Sequence, residues 1–268
     1  MLIESAIAPR GSALYYSLRC VHGDKRTAIL AVVAIAKALS DTAEKAVNPE
    51  AAAAKLNWWQ QEINALFAGT PTHPHTKALL PHLIQFQLKP EPLLALVEAN
   101  ELTLNTQVFA TQSDLARHYQ HIGGIREGIK AQILNEGKHD NQVQKFAHYL
   151  GITLEAVRHI NYFATFYQRQ QLYLPESDLQ SLSTQAALDP KNQTALIPLL
   201  KAQASEAKDT WRLAKEHLPK AHYKTQRPGL ILGKIAIVTL ANIEQDGFQV
   251  FKHAIQLSPL NMLWRSVF

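Results

Sequence analysis

Cysteine is almost missing from this 268-residue chain, with Cys20 the only one. That excludes an internal disulfide and a thiolate metal cluster. The apolar surroundings of Cys20 predict buried filler rather than a nucleophile. Long apolar runs are also missing. The two best, Ala28–Leu39 and Leu230–Ala241, are interrupted by Lys37 and Lys234, and both fall short of the roughly 20 apolar residues a membrane span needs. No basic start followed by a long apolar run opens the chain, so no signal peptide is expected. Strand signals are scarce, with no Asn-Gly or Asp-Gly turn between alternating runs. There is no Gly-rich phosphate loop, no Ser-His-Asp arrangement that spacing can support, no internal repeat and no long linker.

What is present is ordinary for a soluble protein: 47% hydrophobic residues, 18% charged, net charge +5 and twelve histidines. Mild basicity suits a diphosphate, an anionic membrane or nucleic acid and by itself selects none of them; no nucleic-acid partner is expected. Apolar spacing is helical nearly throughout. Ala28, Ile29, Val32, Val33, Ala36 and Leu39 share one face, as do Leu56, Trp59, Ile63 and Leu66. Breaks fall at Gly69–Pro74, Lys89–Pro92, Leu174–Ser177, Asp189-Pro190 and Arg227–Gly229. About ten helices result, one starting at Ser113-Asp114 and another spanning Asn192–Ala202. Arg26–Leu39 and Gly229–Ile243 are apolar nearly all round, which places them inside a bundle. Gly123-Gly124, within a helical pattern, predicts close helix packing. The expectation is one all-α domain over residues 1–268, cytoplasmic, with peripheral membrane contact left open through the basic stretch Lys215–Arg227. His73 and His75 sit in a Pro-rich loop, and His118 and His121 have no companion acid nearby in sequence, so no zinc site is expected.

Eight segments in order, and with them the stretch Arg158–Pro175, resemble the squalene/phytoene synthase family. Gly11–Tyr16 (GSALYY) looks like its opening Ser-Phe-Tyr segment, and Asp24–Ala28 its basic turn into the next helix. Lys37–Lys45 (KALSDTAEK) occupies the first acidic motif, R-x-x-D-D-x-x-D-E. Lys55–Ile63 (KLNWWQQEI) and Gly69–Pro74 (GTPTHP) match the branch of the bacterial hopanoid pathway. Ile122–Gly124 stands for V-A-G and Ala147–Ile152 for A-x-x-L-G-x. The tail Leu257–Trp264 is similar to S-x-x-x-K-L-W, and Arg158–Pro175 (RHINYFATFYQRQQLYLP) to the second acidic motif, N-x-x-x-D-x-x-x-D running on to YLP. The resemblance implies an isoprenoid synthase-type helical bundle with a central cavity. There two acidic clusters would hold Mg²⁺ against prenyl diphosphates and stabilise the leaving diphosphate.

The acids themselves are depleted. In the first motif Ser40 replaces an Asp, Asp41 is kept and Glu44 closes it, leaving Asp41 and Glu44 as candidate metal ligands. Lys37 replaces the family arginine and loses its bidentate fork. In the second motif the acid positions carry Tyr162 and Phe166, neither able to offer Mg²⁺ a hard anionic oxygen. Upstream, Glu155 and Arg158 stand for a Gln and an Asn; their spacing predicts an i,i+3 pair, with Tyr162 and Phe166 as core filler. The resemblance implies substrate contacts at Ser12, Tyr16, Lys37, Arg158, Tyr162, Phe166 and Arg169, and catalytic positions at Tyr119 and Tyr173. Of three family basic positions near the YLP end, only Arg169 is basic here.

The leading expectation is a degenerate family member similar to the branch that includes mitochondrial complex I assembly factor 6. Such a protein would act in binding or assembly with a protein partner, or hold an isoprenoid or lipid. The alternative is an active Mg²⁺-dependent prenyltransferase joining two farnesyl or geranylgeranyl diphosphates.

Overall fold

A computed structural model describes residues 2–106, 108–180 and 194–267. Among these the chain forms fourteen α-helices and one two-stranded sheet. The first half comprises α1 (Leu2–Ile7), α2 (Ala13–Ser17), α3 (Gly23–Glu44), α4 (Pro49–Phe67), α5 (Pro74–Leu79), α6 (Pro90–Asn105) and α7 (Gln112–Tyr119). A π-helical turn at Gln120–Gly124 leads into α8 (Ile125–Leu134). Then come α9 (Asn141–Asn161), α10 (Phe163–Gln168), α11 (Glu176–Gln180), α12 (Ile197–His217), α13 (Arg227–Gln245) and α14 (Pro259–Val267). The strands β1 (Val108–Phe109) and β2 (Leu172–Pro175) pair in parallel with an irregular register. β2 is the Tyr-Leu-Pro segment, kept extended because a residue before proline avoids the helical region.

The all-α architecture follows from the apolar periodicity. On α3, Ala28, Ile29, Val32, Ile35 and Leu39 are completely buried. They pack with Leu56, Trp59 and Ile63 of α4, Leu93 and Leu96 of α6, and Ile129 and Ile133 of α8. A second apolar cluster joins α7, α9, α10, α12 and α13 through Leu115, Ile160, Phe163, Leu200, Ala207 and Leu240. α3 continues past Leu39 to Glu44. Its last turns are supported by the i,i+4 pairs Lys37–Asp41 (2.6 Å) and Asp41–Lys45 (2.8 Å). The Thr42 hydroxyl bonds back to the Ala38 carbonyl at 2.8 Å.

Three local expectations are corrected. α7 starts earlier than Ser113-Asp114, because Thr111 and Asp114 form a reciprocal capping box that leaves Ser113 inside the first turn. α12 begins at Ile197 rather than Asn192; Asp189-Pro190 and residues 181–193 lie outside the described residues. Cys20 is exposed, not buried. It ends the short 3₁₀ turn Leu18–Cys20, in which Leu18 takes the inward position, followed by buried Val21.

The Trp-Trp-x-x-Glu-Ile and Gly-Thr-Pro-Thr-His-Pro segments meet at one buried carboxylate. Glu62 accepts from Thr72 N (2.7 Å), Thr72 Oγ1 (2.6 Å), His73 N (2.8 Å) and Thr76 Oγ1 (2.5 Å). Burial pushes its pKa up, but the bonds from Thr72, Thr76 and His73 outweigh it and hold the group at about 2. The His73 ring then caps α5, Nδ1 accepting from His75 N at 3.2 Å. This signature therefore fixes a loop. The folded pKa lies below the unfolded one, so the stabilisation is complete above about 4.5 and fades as pH falls toward about 2. Glu62→Gln is expected to cost about 2 kcal/mol at neutral pH, with the deficit against wild type shrinking below pH 4.5 in denaturant titrations.

Close approach of the π turn to α9 depends on two glycines. A Cβ on Gly123 would lie 2.3 Å from the Gly151 carbonyl oxygen, and one on Gly151 would lie 2.2 Å from the Gly123 carbonyl carbon. This contact brings the start of α8 alongside the second half of α9.

Candidate functional site

Where α3, α8 and α9 meet, six charged side chains alternate in sign. Arg158 donates to both oxygens of Glu44, at 3.0 and 2.7 Å, and through Nε to Glu155 at 2.8 Å. The other oxygen of Glu155 accepts from Arg126 at 2.7 Å. Arg126 Nε reaches Glu127 at 3.1 Å, and Glu127 accepts from Lys130 at 2.5 Å. The inner members are almost wholly enclosed: the Glu155, Glu127 and Lys130 side chains are 2%, 3% and 5% exposed. Three anions and three cations cancel, as burial of charge requires.

The ion pairs set the titration of each member. Burial alone would raise the Glu155 carboxyl, but Arg158 and Arg126 hold it at about 2. Glu127 is likewise lowered against its burial, by Lys130 and Arg126. Burial disfavours the Arg158 cation, yet Glu155 and Glu44 drive its pKa well above the ordinary value.

Aromatic rings close the other side. The His159 ring is stacked on Tyr173 with centroids 3.5 Å apart and on Tyr119 at 5.2 Å. Phe166 packs edge-on to Tyr173 at 5.0 Å and carries the Arg158 guanidinium 5.1 Å from its ring centre. Arg158 also reaches His159 Nε2 at 3.0 Å; since arginine can only donate, the imidazole accepts and is neutral. Its pKa lies well below normal, through burial first and the neighbouring Arg158 second. Burial raises both Tyr119 and Tyr173, so both phenols stay protonated. Among the described residues, two voids beside this stack measure about 10 and 30 Å³.

The structure gathers only part of the sequence-derived set. Glu44, Arg158 and Phe166 meet, with Tyr119 and Tyr173 in the adjoining stack. The Glu155–Arg158 pair is present, and Phe166 is buried at 4%. Tyr162 is not core filler: it is 42% exposed. α9 stops at Asn161 and Tyr162 leaves the helical region (φ −105°, ψ 25°), so positions 158, 162 and 166 no longer share one helix face. Asp41 and Glu44 do not act together, since Asp41 lies between two surface lysines while Glu44 turns inward to Arg158. Lys37 is half exposed and spent on Asp41, and Arg169 lies at the surface. Ser12 caps α2 by accepting from Tyr15 N at 3.2 Å, and Tyr16 packs against Ile231, Ile235 and Met262.

Arg126, Glu127, Lys130 and His159 were not anticipated. The available signal was three charges set among Ile125, Ile129 and Ile133. The Glu127–Lys130 spacing fits a solvated helix face equally well.

The side chains present do not fit the magnesium clusters that the resemblance implies. A divalent cation needs free anionic oxygens. Those of Glu44, Glu155 and Asp41 are already engaged by arginine or lysine. Among the described residues no three His, Cys, Asp or Glu side chains are grouped to hold a metal ion.

The helical architecture is that of isoprenoid synthases. A dehydrosqualene synthase solved with a ligand superposes with a TM-score of 0.84 at 17% identity, over 99% of this chain and 94% of that one. The squalene synthase HpnC from Alicyclobacillus acidocaldarius gives 0.77 at 18% identity, over 92% of each chain. The pattern of the squalene/phytoene synthase family matches residues 7–261, so the chain belongs to that family. A phytoene synthase from Arthrospira platensis is 21% identical over 263 residues, covering 93% of this chain and 85% of its own.

Arg158→Ala leaves two carboxylates facing each other without their shared cation, and is expected to cost about 3 kcal/mol. Lys37→Ala, breaking an exposed pair, is expected to cost under about 0.5 kcal/mol; denaturant unfolding measures both. Acid should also weaken the fold. His118 is depressed to about 4 by burial, and His159 is lowered too. Below pH 6.5 the unfolded histidines take up protons that the folded ones refuse, so stability falls as pH drops from 6.5 toward 4. His159→Phe should flatten that fall in thermal midpoints recorded across the range.

Proposed function

We propose that this chain is a non-catalytic member of the squalene/phytoene synthase family, a binding or assembly protein formed by one domain over residues 1–268. The observation carrying this reading is the bidentate Arg158–Glu44 pair continued through Glu155 to Arg126. A guanidinium stands at the motif from which family members would grip metal, and the carboxylates left are neutralised. Ionisation of an allylic diphosphate needs the leaving group's charge to be met by metal. Each tenfold loss of rate is about 1.4 kcal/mol of barrier, and loss of the whole second cluster removes many such steps.

Among the described residues, the side chains beside the ring stack leave little room for a prenyl chain. Voids of about 10 and 30 Å³ there hold a water or two, whereas small-molecule pockets run to roughly 300 Å³ or more. Binding is better supported on the outside of α8. A cleft of about 850 Å³ lies there, with His121, His148, Tyr149 and His217 on its walls.

Purified protein incubated with Mg²⁺ and farnesyl or geranylgeranyl diphosphate is expected to release no pyrophosphate above the protein-free rate. Turnover that disappears in the Asp41→Ala, Glu44→Ala double variant would establish the active prenyltransferase instead.

A further inference from the structure

The cleft of about 850 Å³ outside α8 is a groove with α8 as its floor, α9 along one side and the start of α6 along the other. α8 and α9 run antiparallel beneath it. Three close approaches fix their register: Gly123 on Gly151, Gly124 on His148 and Gly128 on Gln144. Glycine leaves the floor bare. A Cβ on Gly124 would lie 3.3 Å from His148 Nδ1, and one on Gly128 would lie 2.9 Å from Gln144 Oε1. The floor recurs every fourth residue, at Gln120, Gly124, Gly128 and Gln132, so it follows one line along the helix. From Gln120 to Gln132 that line runs roughly 18 Å, the reach of about five extended residues.

Polar groups stand in a row along this line instead of converging on one point. Gln144 Nε2 donates to the Gly128 carbonyl at 3.3 Å, and Gln132 Nε2 to the Phe86 and Gln87 carbonyls at 3.0 and 2.8 Å. The Oε1 atoms of both glutamines accept no hydrogen bond among the described residues. The His148 imidazole is neutral near pH 7, since burial and then His121 lower its pKa. Two fixed charges remain. Lys145 on the α9 side and Glu91 on the α6 side are exposed and form no ion pair among the described residues. They cancel, so the groove has no net pull on a polyanion.

We infer that this groove seats an extended peptide segment of a protein partner, with an acidic side chain toward Lys145 and a basic one toward Glu91. The inference rests on the reading of the chain as a binding or assembly protein. An extended peptide repeats N–H groups and carbonyls along its length, which matches acceptors and donors set in a row. A compact small molecule calls for a few polar groups gathered around one place. Opposite charges on opposite sides then fix which way the segment runs. The π turn at Gln120–Gly124 lies at one end of the floor, and such turns recur at functional sites.

Selection of a random displayed heptapeptide library on the full chain, followed by calorimetric titration of the selected peptides made singly, tests the inference. Binders are expected to carry one acid and one base at a constant separation. Ala95→Trp, which fills the groove from α6, should abolish their binding while the thermal midpoint stays that of wild type. Lys145→Glu should weaken them about tenfold, and a peptide whose acid is exchanged for lysine should recover the loss. That exchange distinguishes contact from a structural effect and does not depend on the bulkier variant folding. No binder, binders indifferent to both variants, or no recovery on charge exchange would overturn the proposal. So would a dimer in sedimentation velocity that Ala95→Trp dissolves. Pyrophosphate release bears on the non-catalytic reading alone: with neither release nor a binder, the groove inference falls and that reading stands.

Discussion

Arg158 bonds to both oxygens of Glu44 on α3 and to one of Glu155 on its own helix, and the rest of the interior is arranged around that guanidinium. Arg158 is partly exposed, but the carboxylates it pairs with are enclosed, and an uncompensated charge among them is expensive. Glu155 must therefore be present, and its second oxygen calls for Arg126. Arg126 in turn brings Glu127, which Lys130 balances. The network extends until the charges sum to zero, joining three helices on the way.

The same cation shapes the aromatic side. Phe166 offers its ring face to Arg158, and His159 accepts from it, which fixes the imidazole as neutral. Tyr119 and Tyr173 stack on that neutral ring. The break in helix at Tyr162 is what lets Phe166 fold back over the guanidinium, since a continuous α9 would carry it further along the axis. Two family positions that would hold acid thus have opposite fates. One becomes a ring packed on a cation and the other an exposed phenol.

Much of the fold was legible because it rests on local signals. The helical spacing of α3, α4 and α13, the proline and glycine breaks, and the ordered family segments all state it directly. So does the i,i+3 spacing of Glu155 and Arg158. What could not be read depends on direction rather than spacing. Arg158–Phe166 contains neither glycine nor proline, so nothing marks Tyr162 as a helix end. Arg126, Glu127 and Lys130 would suit solvent or interior equally; their inward placement depends on tertiary packing, to which the close Gly123–Gly151 approach contributes. Lys37, Asp41 and Arg169 fall at motif positions yet project from the surface, because Glu44 alone of the first motif faces Arg158.

A double-mutant cycle on Glu44→Gln and Arg158→Met, followed by denaturant unfolding, tests the central claim most directly. If these groups hold α3 against α9 as a structural ion pair, the coupling energy should reach about 2 kcal/mol or more at neutral pH. Coupling near zero, with Glu44→Gln stability-neutral and Mg²⁺-pyrophosphate raising the melting temperature of wild type alone, would instead mark Glu44 as a ligand kept for metal.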